Sequence, residues 1–203
     1  TFGAGVGGLF DLGLNAGTGG AITGTSLAIN DLTITNGLSA AFTGAITVND
    51  LITAATATTI SMTGTSNSFA ANVDFLNTGP VTLGNGGDTF AFDGGLTFTG
   101  NAASNIGAAI TSSGDAINFG TGGVTLTQSS TVNTTSGSSA GATITFGSTL
   151  DGAQTLGLIA GTGNITFTGA VGAGTRLGAV SVTSGATVLA SSTFKAASFT
   201  QSA

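Results

Sequence analysis

Cysteine, histidine, tryptophan, tyrosine and glutamate are all missing from this 203-residue chain. Charged residues make up only 5% of it, where about a quarter is usual. The 8 acidic residues are all Asp, the only basic ones are Arg176 and Lys195, and the formal net charge is −6. Each absence removes a class of function. Without Cys or His there is no thiolate or imidazole to ligate a metal, no Cys nucleophile and no His base. Two cations cannot neutralise a run of phosphates, which argues against nucleic acid, and the same shortage argues against anionic lipid. No apolar run reaches the roughly 18 residues of a membrane helix, and without Trp or Tyr there is no aromatic girdle for a membrane barrel. No cofactor and no membrane insertion are expected. The chain opens at Thr1 with no signal-peptide pattern, and is expected to be a mature product or a piece of something longer.

What is present is glycine (36 residues), Thr, Ser and a 40% hydrophobic fraction, with a mean hydropathy of +0.48. That hydropathy excludes the disorder that high glycine alone would suggest. Good helix formers are scarce. Apolar residues alternate with polar ones, and Gly, Asn, Asp and Ser bound the alternating runs, which is the pattern of short strands.

One phrase recurs: apolar–Thr–apolar. It reads Leu32-Thr33-Ile34, Ile46-Thr47-Val48, Val81-Thr82-Leu83, Leu96-Thr97-Phe98, Val124-Thr125-Leu126, Ile144-Thr145-Phe146 and Ile165-Thr166-Phe167. Val124, Ile144 and Ile165 are spaced 20 and 21 apart, and Ile60–Val81 and Leu96–Ile117 are 21 apart. Phe69–Phe90, Phe98–Phe119 and Phe146–Phe167 repeat the 21-residue step. A strand phrase at a fixed period of this size means stacked repeats. The expectation is an all-β fold, a parallel β-solenoid (β-helix) of roughly ten coils of about 20–21 residues, about 45–50 Å long at the strand spacing. It is read as one domain over 1–203, clearest over 60–190, with 1–25 an irregular first coil or cap. Phe69, Phe90, Phe98, Phe119, Phe146, Phe167, Ile144 and Ile165 are expected to form the core ladder.

Segments such as Gly163-Asn164-Ile165-Thr166-Phe167-Thr168-Gly169-Ala170-Val171, followed by Leu177-Gly178-Ala179-Val180-Ser181-Val182, resemble the β-strand repeats of large bacterial surface and secreted proteins. They are similar to filamentous-haemagglutinin-type adhesins and autotransporter passengers. The resemblance covers most of the chain, best over 80–190. It implies a secreted or cell-surface rod, often part of a much longer protein; the partners expected are further copies of the rod, extracellular glycans, or a host or neighbouring cell surface. It implies an architecture rather than an activity.

Three constellations carry chemistry in principle. Asp11, Asp31 and Asp50 are spaced 20 and 19 apart, and Asp74, Asp93 and Asp115 are spaced 19 and 22. They are read as turn caps, or as a cation-binding edge for which Asp31, Asp50, Asp88 and Asp93 are the candidates, or as a catalytic carboxylate pair of a polysaccharide-degrading β-helix. Gly84-Asn85-Gly86-Gly87-Asp88-Thr89-Phe90 resembles a single copy of a calcium-binding nonapeptide, a site that needs consecutive copies; a plain glycine corner is the simpler reading. The pairs Thr125/Thr127, Thr143/Thr145 and Thr166/Thr168 are either solvated strand positions or a flat hydroxyl–methyl array of the kind that binds ice or glycans. Arg176 and Lys195 serve solubility or pair with an Asp of a neighbouring subunit. The resulting expectation is a non-catalytic extracellular rod of an adhesin, fibre or matrix filament, self-associating end to end or by its edges. A Thr-face binding module is the alternative, and a polysaccharide enzyme is third.

Overall fold

The computed structural model describes residues 1–100 and 103–202. Among these every regular element is a strand and every strand pairing is parallel. The chain winds as a three-faced solenoid. The first face stacks ten strands from Val6–Gly7 to Ala196–Gln201, and the second stacks nine from Leu12–Asn15 to Val188–Ala190. The third runs from Ala21–Gly24 through Ser39–Phe42 and Thr59–Met62 into the starts of Val81–Phe92 and Ser104–Thr111. It continues through Val124–Leu126 and Leu150–Asp151 to single bridges at Val171 and Phe194. There are therefore about nine turns rather than ten, and the rod is about 43 Å long at the inter-strand spacing.

Alternation sets which side chains face inward. On the second face the inner row reads Leu12, Leu32, Leu51, then Val73, Leu96, Ile117, Ile144, Ile165 and Val188. Two residues along lies the ladder's second inner row: Leu14, Ile34 and Thr53, then Phe75, Phe98, Phe119, Phe146, Phe167 and Ala190. All five rings are essentially fully buried. Thr53 is tolerated inside because its hydroxyl accepts from Leu76 N (2.8 Å) and donates to Asp74 O (3.3 Å). A buried polar group so paired costs little.

The expected pairs Ile60–Val81, Leu96–Ile117, Ile144–Ile165, Phe98–Phe119 (5.9 Å between ring centroids) and Phe146–Phe167 (5.2 Å) all form. Two expectations fail, both because coil length is not constant. Phe69 does not stack on Phe90; it stacks on Phe92, at 4.8 Å, while Phe90 faces Asn67. The cause is an irregularity between Leu83 and Asp88 that adds residues to this coil and slides the following pairing. Gly84, Gly86 and Gly87 there adopt positive φ (81°, 118°, 76°), a backbone that favours glycine. The second failure is Val124. It belongs to the third face, between Ser104 and Leu150, and Ile144 to the second, between Ile117 and Ile165. The 27-residue step from Ile117 to Ile144 contains a long corner over 134–142. Buried Thr134 clamps its base, accepting from Ala142 N and donating to Ala142 O, both at 2.9 Å.

The first 25 residues wind as a coil of the stack, with a register irregularity between Leu14 and Asn15. Val6–Gly7, Leu12–Asn15 and Ala21–Gly24 each pair with the coil above.

Candidate functional site

The Asp residues occupy corners, and the structure separates them. Asp31 and Asp50 are register neighbours in adjacent coils, and an Asn–Asp ladder runs through this corner: Asn30 donates to Asp11 (2.7 Å) and Asn49 to Asp31 (3.0 Å). Partial burial, together with the Asp31 carboxylate beside it, pushes Asp50 above its usual 3.8, against a backbone hydrogen bond from Leu51. The row stops there. Asp74 lies in register with Ile52 and Thr97, not with Asp93, and accepts from Thr99 N (3.0 Å) and Thr99 Oγ1 (2.8 Å). Asp93 accepts from Ser113 Oγ (3.0 Å). Asp88 is buried and accepts from Asn85 N (2.7 Å), a bond that closes the glycine irregularity. Asp151 takes Gly174 N and Thr175 N (2.8 and 2.9 Å). These contacts fit turn capping. The candidates Asp31, Asp50, Asp88 and Asp93 are not brought to one place, and among the described residues no three acidic side chains form a metal-binding group.

Asp50 and Asp74 do line one shallow groove of about 160 Å³, with Asn72, Ile52 and Leu76. Its chemistry is thin. Thr99 already occupies both oxygens of Asp74, and the two basic residues lie in the last two coils, at the far end of the rod.

The Thr pairs do not form an array. Thr145 and Thr166 are register neighbours on the second face, in an outward row with Thr97 and Asn118. Thr143 and Thr168 flank different ends of their strands, Ile144–Phe146 and Ile165–Phe167, so the two T-x-T pairs are offset by a register step. Thr125 lies on another face, between Asn105 and Asp151, and Thr127 donates to Ile106 O (3.2 Å) just past its strand. One stacked Thr neighbour is too little for a flat repeating surface.

The apolar feature that sequence reasoning missed is at the C-terminal end. Val188, Ala190, Phe194, Phe199 and Gln201 surround an open cavity of about 240 Å³. Ala190 holds the place where the ladder would put its next Phe. The available signal was that Ala190, 23 residues beyond Phe167, ends the aromatic series.

Comparison with known proteins finds no match: no family model, no curated protein and no solved structure. The fold and the side-chain geometry therefore carry the functional reading.

Proposed function

We propose that this chain is a non-catalytic structural rod, an extracellular β-solenoid segment of a bacterial surface adhesin, fibre or matrix filament, able to associate end to end. The observation that carries the reading is the use to which the chain puts its residues. Nearly every large apolar side chain is committed to one continuous core, from Leu14 to Val182. The carboxylates of Asp74, Asp88, Asp93 and Asp151 are taken up by hydrogen bonds at corners. The repeat phrases resemble those of bacterial surface adhesins, and that resemblance is what supports a surface location. The mechanism is mechanical. Parallel backbone ladders join each coil to the next along the axis, and each added coil buries apolar area worth about 25 cal/mol per Å², so bending or fraying one coil means opening its neighbours.

The test is hydrodynamic and proteolytic. Small-angle scattering should report an elongated particle about 43 Å along its axis, and broad-specificity protease should leave residues 20–185 intact. A compact globular particle, or ready cleavage in the Phe-ladder coils, would reject the rod. Turnover on a panel of polysaccharides, abolished by Asp50→Asn, would move the assignment to an enzyme.

A further inference from the structure

Two dipeptides of the chain join Asn to Gly, Asn36-Gly37 and Asn85-Gly86. Such a pair is labile in a free peptide. The glycine nitrogen attacks the Asn side-chain carbon, and with no Cβ on the glycine nothing obstructs the cyclic imide that forms. In a folded chain the outcome depends on whether that nitrogen is free to swing over the side chain. Here the two pairs are held in opposite ways.

Asn36-Gly37 is locked. Asn36 ends the strand Asp31–Asn36, lies in register with Asn15, and its carbonyl accepts from Ala16 N (2.9 Å). Gly37 is buried. Its N donates to Thr58 Oγ1 (3.1 Å), and the same hydroxyl donates to Gly37 O (2.9 Å). Thr58 is itself 1% exposed. Moving Gly37 N strips a buried hydroxyl of its partners, so attack at Asn36 waits on local opening of the coil.

Asn85-Gly86 is open. Asn85, Gly86 and Gly87 are all exposed. Register pairing stops at Leu83 and resumes at Asp88 toward one neighbouring coil and at Thr89 toward the other, so residues 84–87 have no register partner on either side. A Cβ at Gly86 would meet only the exposed Gln128 side chain, and one at Gly87 would meet nothing within 4 Å. The tie across this corner is the bond from Asn85 N to Asp88 (2.7 Å), which involves neither the Asn85 side chain nor Gly86.

We propose that Asn85 is a site of spontaneous covalent modification, converting through a cyclic imide to aspartyl and isoaspartyl forms, while the coil protects Asn36. Gly86 N bonds to Asn85 Cγ, the Cγ–Nδ2 bond breaks, and Nδ2 leaves as ammonia with the proton that Gly86 N gives up. Water then opens the imide. Opening at Cγ leaves an ordinary aspartyl residue; opening at the backbone carbonyl leaves the chain running through Cγ as isoaspartyl. Both products add a carboxylate to a chain whose formal charge is already −6. The isoaspartyl form also lengthens the backbone by a methylene inside the stretch that the Asn85–Asp88 bond closes. The corner then loosens, while Val81–Leu83 and Thr89–Phe92 on either side keep their partners in the neighbouring coils. The conversion needs only water, and it marks the age of the molecule at one defined corner.

Ageing the folded protein in mildly alkaline buffer made with heavy-oxygen water, followed by peptide mapping in a mass spectrometer, tests this. Conversion at Asn85, with heavy oxygen taken up and both product forms present, should outpace conversion at Asn36 by several-fold. In denaturant the two sites should convert at similar rates, because both are Asn-Gly and only the fold distinguishes them. Anion-exchange chromatography of the aged protein should resolve a more acidic species, and Asn85→Gln, whose longer side chain closes the ring poorly, should remove it. Equal rates in the folded chain, faster conversion at Asn36, or no conversion at Asn85 while the denatured chain converts would overturn the proposal. So would a gap between the sites that persists in denaturant, or an acidic species undiminished in Asn85→Gln.

Discussion

The middle of the rod and its last coil use the same side chain in opposite ways. Between Phe75 and Phe167 the rings lie nearly parallel, with centroids 4.8 Å apart for Phe75–Phe98 and for Phe119–Phe146 and 5.2 Å apart for Phe146–Phe167. At the end, Phe194 meets Phe167 edge-on at 78° and 5.4 Å, and Phe199 meets Phe194 at 88° and 5.5 Å. Stacked and edge-to-face pairs are of similar worth, about 0.5–1.5 kcal/mol, so ring–ring energy does not choose between them. Space does. A coil above and a coil below hold each central ring flat. At Ala190 the ladder position is vacated, and Phe194 tips over the last buried ring. Coil neighbours on both sides create a dry core; a neighbour on one side leaves a lid.

The largest expected effect tests this directly. Phe146→Ala removes a ring packed between two others and 1% exposed, with an expected loss of about 3–5 kcal/mol in denaturant unfolding. The same truncation at Phe199, 44% exposed, should cost under about 1 kcal/mol. Equal losses would break the contrast between core and lid. Next in size is Gly120→Ala. Gly120 has φ of 61°, and a Cβ there would run into the Phe98 carbonyl oxygen one coil below. Left-handed backbone alone costs a non-glycine residue about 1–2 kcal/mol, and the clash adds to it, so a loss of about 2 kcal/mol or more is expected from thermal and denaturant melts. At Gly13, in the first coil, a Cβ meets nothing within 4 Å, and Gly13→Ala should change stability by under about 0.5 kcal/mol.

These contrasts also explain what the sequence could show. Coil architecture was legible wherever the repeat phrase fell at one constant period, as at Ile60–Val81 and Ile144–Ile165, because inner positions must be apolar and outer ones need not be. It failed where corners changed length. The glycines at 84, 86 and 87 and the 134–142 corner shift the pairing without altering the alternation, so Phe69–Phe90 and Val124–Ile144 kept the right spacing and acquired the wrong partners. Asp spacing was a weaker guide still. Asp31 and Asp50 do align, yet Asp74 and Asp93 serve separate corners through Thr99 and Ser113, because a capping carboxylate answers to its local turn rather than to the axis. The cavity at the last coil arises from a missing ring, and a periodicity built from the residues that recur is blind to one that does not.

A smaller, opposite effect sharpens the picture of the dry middle. Ser104 lies in the third-face inner row between Val81 and Val124, is 1% exposed, and its Oγ makes no hydrogen bond. Leaving a hydroxyl buried and unpaired costs about 1–3 kcal/mol. Ser104→Val restores the row and should raise stability by about 1 kcal/mol in equilibrium unfolding. A loss would mean that this part of the core is too tightly packed to accept the added methyl group.

The smallest effect separates the first coils from both the middle and the last coil by pH. Asp50 has its pKa raised by partial burial and by Asp31 beside it. The native state therefore holds a proton at Asp50 more readily than the unfolded chain does, and stability falls as pH rises from the usual 3.8 through the raised value. Below that window the penalty is absent; above it the penalty is fully present. Asp50→Asn removes the ionisation but keeps the shape, so the variant should be slightly more stable than the parent at neutral pH, with the difference vanishing at low pH. The change should be local. Native-state hydrogen exchange should show slower opening around Asp31–Asn36 and Asp50–Thr53 in the variant, with the amides of Ile144–Phe146 and Ala196–Gln201 unaffected. Slower exchange along the whole rod would mean that coils open together rather than from the ends, and would erase the distinction between core and lid.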